Sequence, residues 1–161
     1  MRTVISDTSP LNYLLLIGEI ELLPKLFGEV IIPSDVFAEL SDPRAPLVVR
    51  AFVASLPEWA KVRSLESEPL DLGLDAGETE AISMAIELHI SAILVDERRG
   101  RIAAKLQGLT TIGTLNILEA VDIRGLVDLE NVIAKLRATS FHVDGTLLDA
   151  LLVDLRRRRG Q

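Results

Sequence analysis

The chain of 161 residues contains no cysteine and only two histidines. The absence of cysteine excludes a disulfide framework, a thiolate metal site and a Cys-His catalytic pair. Neither His89 nor His142 has a nucleophile signature near it, which argues against Ser-His-Asp catalysis. No glycine-rich phosphate loop or dinucleotide-binding fingerprint occurs either. These absences exclude several common enzyme classes.

A long uninterrupted apolar run is also missing, although 48% of the residues are hydrophobic and 25% are charged. This composition is typical of a soluble globular protein rather than a membrane protein. The first residues precede a strand that ends in polar residues, so we expect no signal peptide and a cytoplasmic location. The length predicts one domain over 1–161, with an α/β core at 1–125 and helices at 126–161.

The net charge of −7 argues against a broad basic surface for nucleic acid. It leaves room for an enzyme that meets a phosphodiester through metal ions and a few local arginines. Basic residues cluster at 98–101 and at 156–159. The second cluster is either an RNA contact, a charge that offsets an acidic partner, or a disordered tail.

Short apolar runs alternate with helical patterns along the chain. Unalternating runs of β-branched and aliphatic residues are typical of strands buried on both faces of a parallel sheet. Strands are predicted at 4–6, 30–32, 59–62, 92–95 and 110–112, with 59–62 at an edge. Helices are predicted at 9–17, 19–27, 33–41, 46–56, 75–89, 98–107, 114–122, 128–138 and 146–158. This order predicts an α/β fold, a three-layer α/β/α arrangement around a central parallel sheet of four to five strands, with extra helices at the carboxyl terminus. We expect those last helices to pack on one edge or to form an oligomer interface.

Two of the predicted strands end directly on an acid, Asp7 and Asp96. The carboxyl ends of parallel strands form the edge where open α/β folds bind ligands. On the helix from Asp75, the wheel places Glu78 close to the centre of the apolar arc and Glu80 on the opposite side. A charge on the buried arc is costly without a partner or a ligand.

Each acid also has a purely structural interpretation. Asp75 and Glu78 fit a capping box, and Asp7 and Asp96 fit helix N-caps. Glu39 lies at the border of the apolar arc of its helix, where most such residues are simply solvated. The functional interpretation depends on all of these acids meeting at one edge of the sheet. Carboxylates are the oxygen ligands that Mg²⁺ and Mn²⁺ prefer, and in the absence of metal their mutual repulsion should raise a pKa.

The stretches around these acids resemble the PIN-domain superfamily, and more closely a prokaryotic PIN-like branch related to the VapC toxins. The resemblance spans roughly 2–125 and rests on motifs in a fixed order, not on any one of them. The motifs are Ile5-Ser6-Asp7-Thr8-Ser9-Pro10-Leu11, Pro33-Ser34-x-Val36-x-x-Glu39-Leu40, Asp75-x-Gly77-Glu78-x-Glu80-Ala81-Ile82, Val95-Asp96-Glu97-Arg98-x-Gly100-Arg101 and Gly113-Thr114-Leu115.

The resemblance implies a Mg²⁺- or Mn²⁺-dependent endoribonuclease, as the toxin of a toxin–antitoxin pair. It carries catalytic and metal-binding roles over to Asp7, Glu39, Glu78 and Asp96, with Glu97 as an additional metal ligand. Glutamate stands at positions 78 and 97 where many relatives have aspartate, and the extra methylene shifts a ligand. Candidate groups that orient ligands or waters are Thr8, Ser9 and Thr114, and candidate RNA contacts are Arg98, Arg99 and Arg101.

The implied partners are an RNA substrate, an antitoxin protein and a second copy of the chain in a homodimer. One metal ion and two are equally compatible with the sequence. The main alternative is a catalytically weak or inactive PIN-like module that binds RNA or a protein. A phosphoryl-acceptor receiver domain is disfavoured, because the first strand ends on the single acid Asp7 instead of a pair.

Overall fold

The computed structural model describes residues 2–125 and 128–139, together with Val153 and Arg157 as single helical positions. Residues 2–125 and 128–139 contain five strands and eight helices. The strands are β1 (Thr3–Ser6), β2 (Glu29–Pro33), β3 (Ala60–Arg63), β4 (Ala92–Leu94) and β5 (Thr110–Ile112). The helices are α1 (Thr8–Leu16), α2 (Leu22–Leu26), α3 (Ser34–Leu40), α4 (Leu47–Ala54), α5 (Ala76–Glu87), α6 (Arg98–Leu106), α7 (Thr114–Ile123) and α8 (Leu129–Arg137).

These elements match the predicted order, with ends that shift by a few residues. The largest difference is at α2, which the apolar pattern predicts from 19 but which begins at Leu22. The helix predicted at 146–158 lies outside the described residues, apart from the two single positions.

The sheet has the strand order β3-β2-β1-β4-β5, and all of its neighbouring strands are parallel. In the central register, Ile5 lies between Ile31 and Ile93. The predicted central parallel sheet is confirmed, and so is the edge position of the third strand. The alternation of strands and helices fits this arrangement, because each parallel pair needs a crossover connection.

Successive strand residues point to opposite faces of the sheet, and each face has its own apolar cluster. Val4, Val30 and Leu94 pack on the side of α1, α2, α4 and α7. Ile5, Ile31 and Ile93 pack on the opposite side, against α5 and α6. The unalternating apolar runs of the sequence are therefore explained by burial on both faces, at roughly 1.5–3 kcal/mol for each large aliphatic side chain.

The extra helix α8 contributes to the first of these clusters. Leu129, Val132, Ile133 and Leu136 are buried there, at the spacing that forms one face of a helix. This part of the carboxyl-terminal region thus packs on the core. None of the helices in the described residues combines the length and apolarity that a membrane span requires.

The strand order reverses at β1, which places the crevice of the sheet between β1 and β4. The chain moves from β1 outward through β2 to β3, and then returns to β4 on the other side of β1. The Asp7 N–H donates to the Leu94 carbonyl oxygen at 2.9 Å, which joins the carboxyl ends of the two strands. Open α/β sheets bind ligands at such a reversal.

Candidate metal centre

Asp7 directly follows β1 at this crevice. It occupies the N-cap position of α1, yet its side chain makes no capping hydrogen bond. The residue is 5% exposed, so its carboxylate is buried although it does not cap the helix. The capping interpretation of Asp7 is therefore not realised by its side chain.

Glu78 lies in the first turn of α5 and is 6% exposed. Asp75 caps the helix as predicted, because its Oδ1 accepts a hydrogen bond of 2.8 Å from the Glu78 N–H. The Glu78 side chain reaches back to the Asp75 N–H, which lowers its pKa as in a capping box, but Glu78 Oε1 is buried without a hydrogen-bond partner. The contact with the Asp75 N–H therefore satisfies only part of the Glu78 carboxylate, and burial of Oε1 without a partner remains costly.

Glu39 is exposed on α3 and approaches Asp7 across the amino-terminal turn of α5. Its Oε2 accepts a hydrogen bond of 2.8 Å from Thr8 Oγ1. A Cβ added at Gly77 would lie 3.5 Å from Glu39 Oε2 and 3.6 Å from Asp7 Oδ1, so the two carboxylates flank the same point. The absence of a side chain at Gly77 keeps the space between them open.

Burial and mutual repulsion raise the pKa of both buried acids. The pKa of Asp7 is about 7, chiefly because of burial and then because of the charges of Glu78, Asp75 and Glu39, while the Thr8 N–H opposes the rise. The pKa of Glu78 is also about 7, chiefly through burial and then through the charges of Asp75 and Glu97. Within the described part of the chain, none of Asp7, Glu39 and Glu78 is in ion-pair contact with lysine or arginine. The cluster therefore lacks a direct ion-pair partner, and the charge of Arg99 lowers the pKa of Glu78 only from a distance.

Asp96 lies one residue beyond the pairing of β4 and is held by Thr114. The Thr114 N–H and Oγ1 each donate to it at 2.7 Å, to Oδ1 and Oδ2 respectively. The carboxylate thus binds the first turn of α7 instead of capping α6, which is the nearer helix in sequence. Burial raises its pKa, although the bonds from Thr114 and the charge of Arg101 oppose the rise.

Glu97 connects the two groups of acids. It is the exposed N-cap residue of α6, without a side-chain capping bond, and its charge contributes to the raised pKa of both Glu78 and Asp96. Ser9, the other residue expected to orient ligands, is half-buried in the first turn of α1.

The candidate RNA-contacting arginines occupy the first turns of α6. Arg98 and Arg99 are exposed, and Arg99 Nη2 donates to the Gly73 carbonyl oxygen at 3.0 Å. Arg101 is half-buried, and its Nη1 and Asp96 Oδ1 both lie 3.1 Å from the position of a Cβ at Gly113. The arginines are therefore beside the acidic edge, and two of them influence the pKa of an acid there.

Two further acids were not predicted to contribute. Asp75 is a helix cap whose charge also raises the pKa of Asp7 and Glu78. Glu80, which the wheel places opposite the apolar arc, is also covered by protein, because this residue is 7% exposed and accepts a hydrogen bond of 2.7 Å from Ser34 Oγ. The segment 64–74 covers this face of α5, as the hydrogen bond from the Leu70 N–H to Ser83 Oγ shows.

A divalent cation fits the donor chemistry of this edge but has no complete set of protein ligands. No three carboxylates or imidazoles of the described residues are arranged to hold a metal ion together. Magnesium usually keeps several waters and binds through one or two carboxylates. Asp7 and Glu78 fit that role, because they supply buried oxygen donors and Glu78 Oε1 has no partner in the protein.

Comparison with known proteins agrees with this architecture. A family model described as a PIN domain matches residues 3–157. One similar solved structure is a PilT N-terminus domain protein from the hyperthermophilic archaeon Sulfolobus solfataricus P2, with 18% sequence identity and a TM-score of 0.50. The match covers 89% of this chain and 100% of that protein, and it supports the fold alone. None of the curated proteins matches the chain significantly. Because the family model spans nearly the whole sequence, the chain belongs to the PIN-domain family.

Proposed function

We propose that this chain is a metal-dependent endoribonuclease of the PIN type, which hydrolyses RNA phosphodiesters with Mg²⁺ or Mn²⁺ in the cytoplasm. The observation that carries the proposal is the pair of buried carboxylates, Asp7 and Glu78, at one edge of the sheet, neither of them in a direct ion pair. Two such groups with pKa values of about 7 store unfavourable free energy that a bound cation would release.

The proposed direct ligands are Asp7 and Glu78, and we propose that Glu39, Asp96 and Glu97 complete the metal site through the waters that the ion retains. When bound, the metal would activate a water molecule and stabilise negative charge on the phosphoryl oxygens. The protein's own contribution is orientation: Thr8 fixes the Glu39 carboxylate and Thr114 fixes that of Asp96. We propose the same orienting role for Ser9, which shares the first turn of α1 with Thr8.

RNA would meet the enzyme through a small number of basic side chains. Arg98, Arg99 and Arg101 directly follow the acidic edge in sequence and lie beside it in space. Because the net charge of the chain is −7, backbone contacts elsewhere are disfavoured, and we expect a shallow dependence of RNA affinity on salt. A contact with three phosphates would give a slope of roughly −2 on single-stranded RNA.

The test is cleavage of a mixed RNA pool by the purified chain, with and without Mn²⁺, compared with Asp7→Asn. We expect cleavage only with metal, and its loss in the variant with an unchanged far-UV circular dichroism spectrum. Asp128→Asn makes the same chemical change at an exposed position that makes no side-chain capping bond. Undiminished cleavage by Asp7→Asn would defeat the proposal.

The toxin role and the homodimer are separate parts of the proposal. Induced expression should arrest growth of the host, Asp7→Asn should not, and co-expression of an antitoxin should restore growth. Sedimentation of the purified chain gives its oligomeric state directly. Growth that continues under expression of an active nuclease would contradict the toxin role while leaving the nuclease in place.

A catalytically weak or inactive PIN-like module that binds RNA or a protein is the second candidate. It is favoured by Asp96, whose two oxygens are already engaged by Thr114, and by the absence of a three-ligand set in the described residues. Such a module would bind no Mn²⁺ in calorimetry and would cleave none of a varied set of RNAs. The two measurements together decide between the candidates.

A further inference from the structure

A cavity of about 660 Å³ lies between α3, α5 and the segment 64–74. Its volume is in the range of sites for small ligands. None of Asp7, Glu39, Glu78 and Asp96 lines it, so it is separate from the candidate metal centre. Nothing in the proposed metal chemistry accounts for it.

One wall of the cavity is formed by a buried carboxylate with its partners. Glu80 is 7% exposed, and Ser34 Oγ donates to its Oε1 at 2.7 Å. The Asp35 side chain, also in the wall, is within hydrogen-bonding contact of Glu80. Each carboxylate has about four acceptor positions, and the two are filled only by the Ser34 Oγ–H, the Ser34 N–H and the hydrogen bond they share, so this wall presents more acceptors than these groups satisfy. It calls for a ligand that brings N–H donors.

The facing wall is apolar and is fixed in place. Leu65, Leu70 and Leu72 line it and pack on the second apolar cluster. The segment is fastened to α5 by the bond of 3.0 Å from the Leu70 N–H to Ser83 Oγ. The bond from Arg99 to the Gly73 carbonyl oxygen fastens it to α6. A flat ring could therefore lie against leucine side chains while its edge faces Glu80.

The cavity and the metal centre share their two helices. On α5, Glu78 belongs to the metal centre and Glu80 to the cavity. On α3, Glu39 belongs to the metal centre, and Asp35 lies one turn away in the cavity wall. Residues four apart on a helix lie about 5–6 Å apart at Cβ. A nucleotide next to the reacting phosphate is therefore within reach of the cavity.

We propose that this cavity binds a guanine base of the RNA, and so makes the enzyme selective for the nucleotide beside the cleaved bond; this inference rests on the proposed nuclease function. Guanine carries two adjacent donors on its Watson–Crick edge, the N1–H and the 2-amino group, which a carboxylate can accept together. Single-stranded RNA is commonly recognised by such edge contacts with the base stacked on a side chain. The acidic wall repels phosphate, so the base enters and the backbone stays outside.

The first measurement is an NMR titration of the metal-free full chain with each of the four nucleoside monophosphates. We expect GMP to bind about tenfold more tightly than AMP, CMP or UMP, since one bidentate pair discriminates by about that factor or more. Glu80→Gln keeps the shape of the side chain and should remove the preference, and Ser34→Ala should weaken it. Glu58→Gln, at an exposed position outside the cavity, should leave it unchanged.

The second measurement is the sequence of the cut ends after cleavage of a random RNA pool with Mn²⁺. We expect guanine at one position beside the cut, and its loss in Glu80→Gln with cleavage retained. Selective GMP binding without any cleavage would contradict the proposed nuclease function and support guanine binding in the cavity. Cleavage without base preference, together with equal binding of the four nucleotides, would overturn the proposal that the cavity binds guanine and support the nuclease function. Preferential binding of argininamide over GMP would overturn the guanine proposal in favour of a peptide ligand.

Discussion

Gly100 lies directly against Glu78. A Cβ at position 100 would stand 3.1 Å from Glu78 Oε1 and 3.0 Å from Val95 Cγ2. Contacts this short force a neighbour to move, and Val95 belongs to the packed core beneath the sheet. The glycine in the first turn of α6 therefore sets the position of the carboxylate on α5.

Gly100→Ala should displace the Glu78 carboxylate and weaken Mn²⁺ binding several-fold. The change removes a glycine from a helix, which by propensity alone would stabilise the protein by roughly 1 kcal/mol. A loss of metal affinity without a loss of thermal stability would therefore separate positioning from folding. Calorimetry with Mn²⁺ and a thermal melt of the metal-free protein give the two quantities.

The matched control is the double variant Gly100→Ala/Glu78→Asp. Aspartate is shorter by one methylene and makes room for the new methyl group. We expect the double variant to bind Mn²⁺ more tightly than the product of the two single effects predicts. Strictly additive losses would mean that Gly100 does not act through Glu78.

The raised pKa values of Asp7 and Glu78 predict a stability that falls as pH rises. Their pKa is about 7 in the folded protein, whereas ordinary values for these acids are about 4. Between about pH 4 and pH 7 the folded protein thus binds more protons than the unfolded chain. The free energy of unfolding of the metal-free protein therefore decreases through this window.

Asp7→Asn isolates the effect, because its neutral side chain has no charge to bury. Relative to wild type, the variant should gain roughly 4 °C or more in melting temperature between pH 4 and pH 8. The difference between the two proteins is the quantity to compare, since acids that do not interact with Asp7 contribute equally to both. A constant difference across this range would mean that Asp7 titrates normally.

Much of this site could be predicted from local patterns. Strand-end acids such as Asp7 are visible in the sequence because an unalternating apolar run precedes them, and parallel strands end at one edge. The placement of Glu78 on the buried face of α5 followed from helical periodicity, and burial of that residue is confirmed. Both signals act within about one element of secondary structure.

The contacts that pair distant segments could not be predicted in the same way. The burial of Glu80 is one example, since a helical wheel gives the side of the helix on which a residue lies but not what covers that side. The segment 64–74 covers that face, and the local pattern of α5 does not predict this contact. Thr114, the partner of Asp96, lies 18 residues away at the start of α7, and only the family resemblance indicated that it orients a ligand.

Added Mn²⁺ should stabilise the protein more at pH 8 than at pH 5.5. Metal binds the ionised carboxylates, and both Asp7 and Glu78 are mostly protonated at the lower pH. At a free metal concentration of 100 times the dissociation constant, the gain is about 2.7 kcal/mol. A thermal shift assay with EDTA-treated protein measures it, and an equal shift at the two pH values would count against these ligands.

Thr114→Val should destabilise the protein and also alter Asp96. The Thr114 side chain is fully buried, and its hydroxyl donates to Asp96 Oδ2 at 2.7 Å. Loss of a hydrogen bond to a charged group costs about 1.5–3 kcal/mol, which urea denaturation can resolve. Thr114→Ser retains the hydroxyl and is the control for this bond. Because the hydroxyl favours the ionised acid, its loss should raise the pKa of Asp96 further, and the destabilisation should be larger at pH 8 than at pH 4. A cost independent of pH would show that the packing of the new methyl group, and not the lost bond to Asp96, explains the effect.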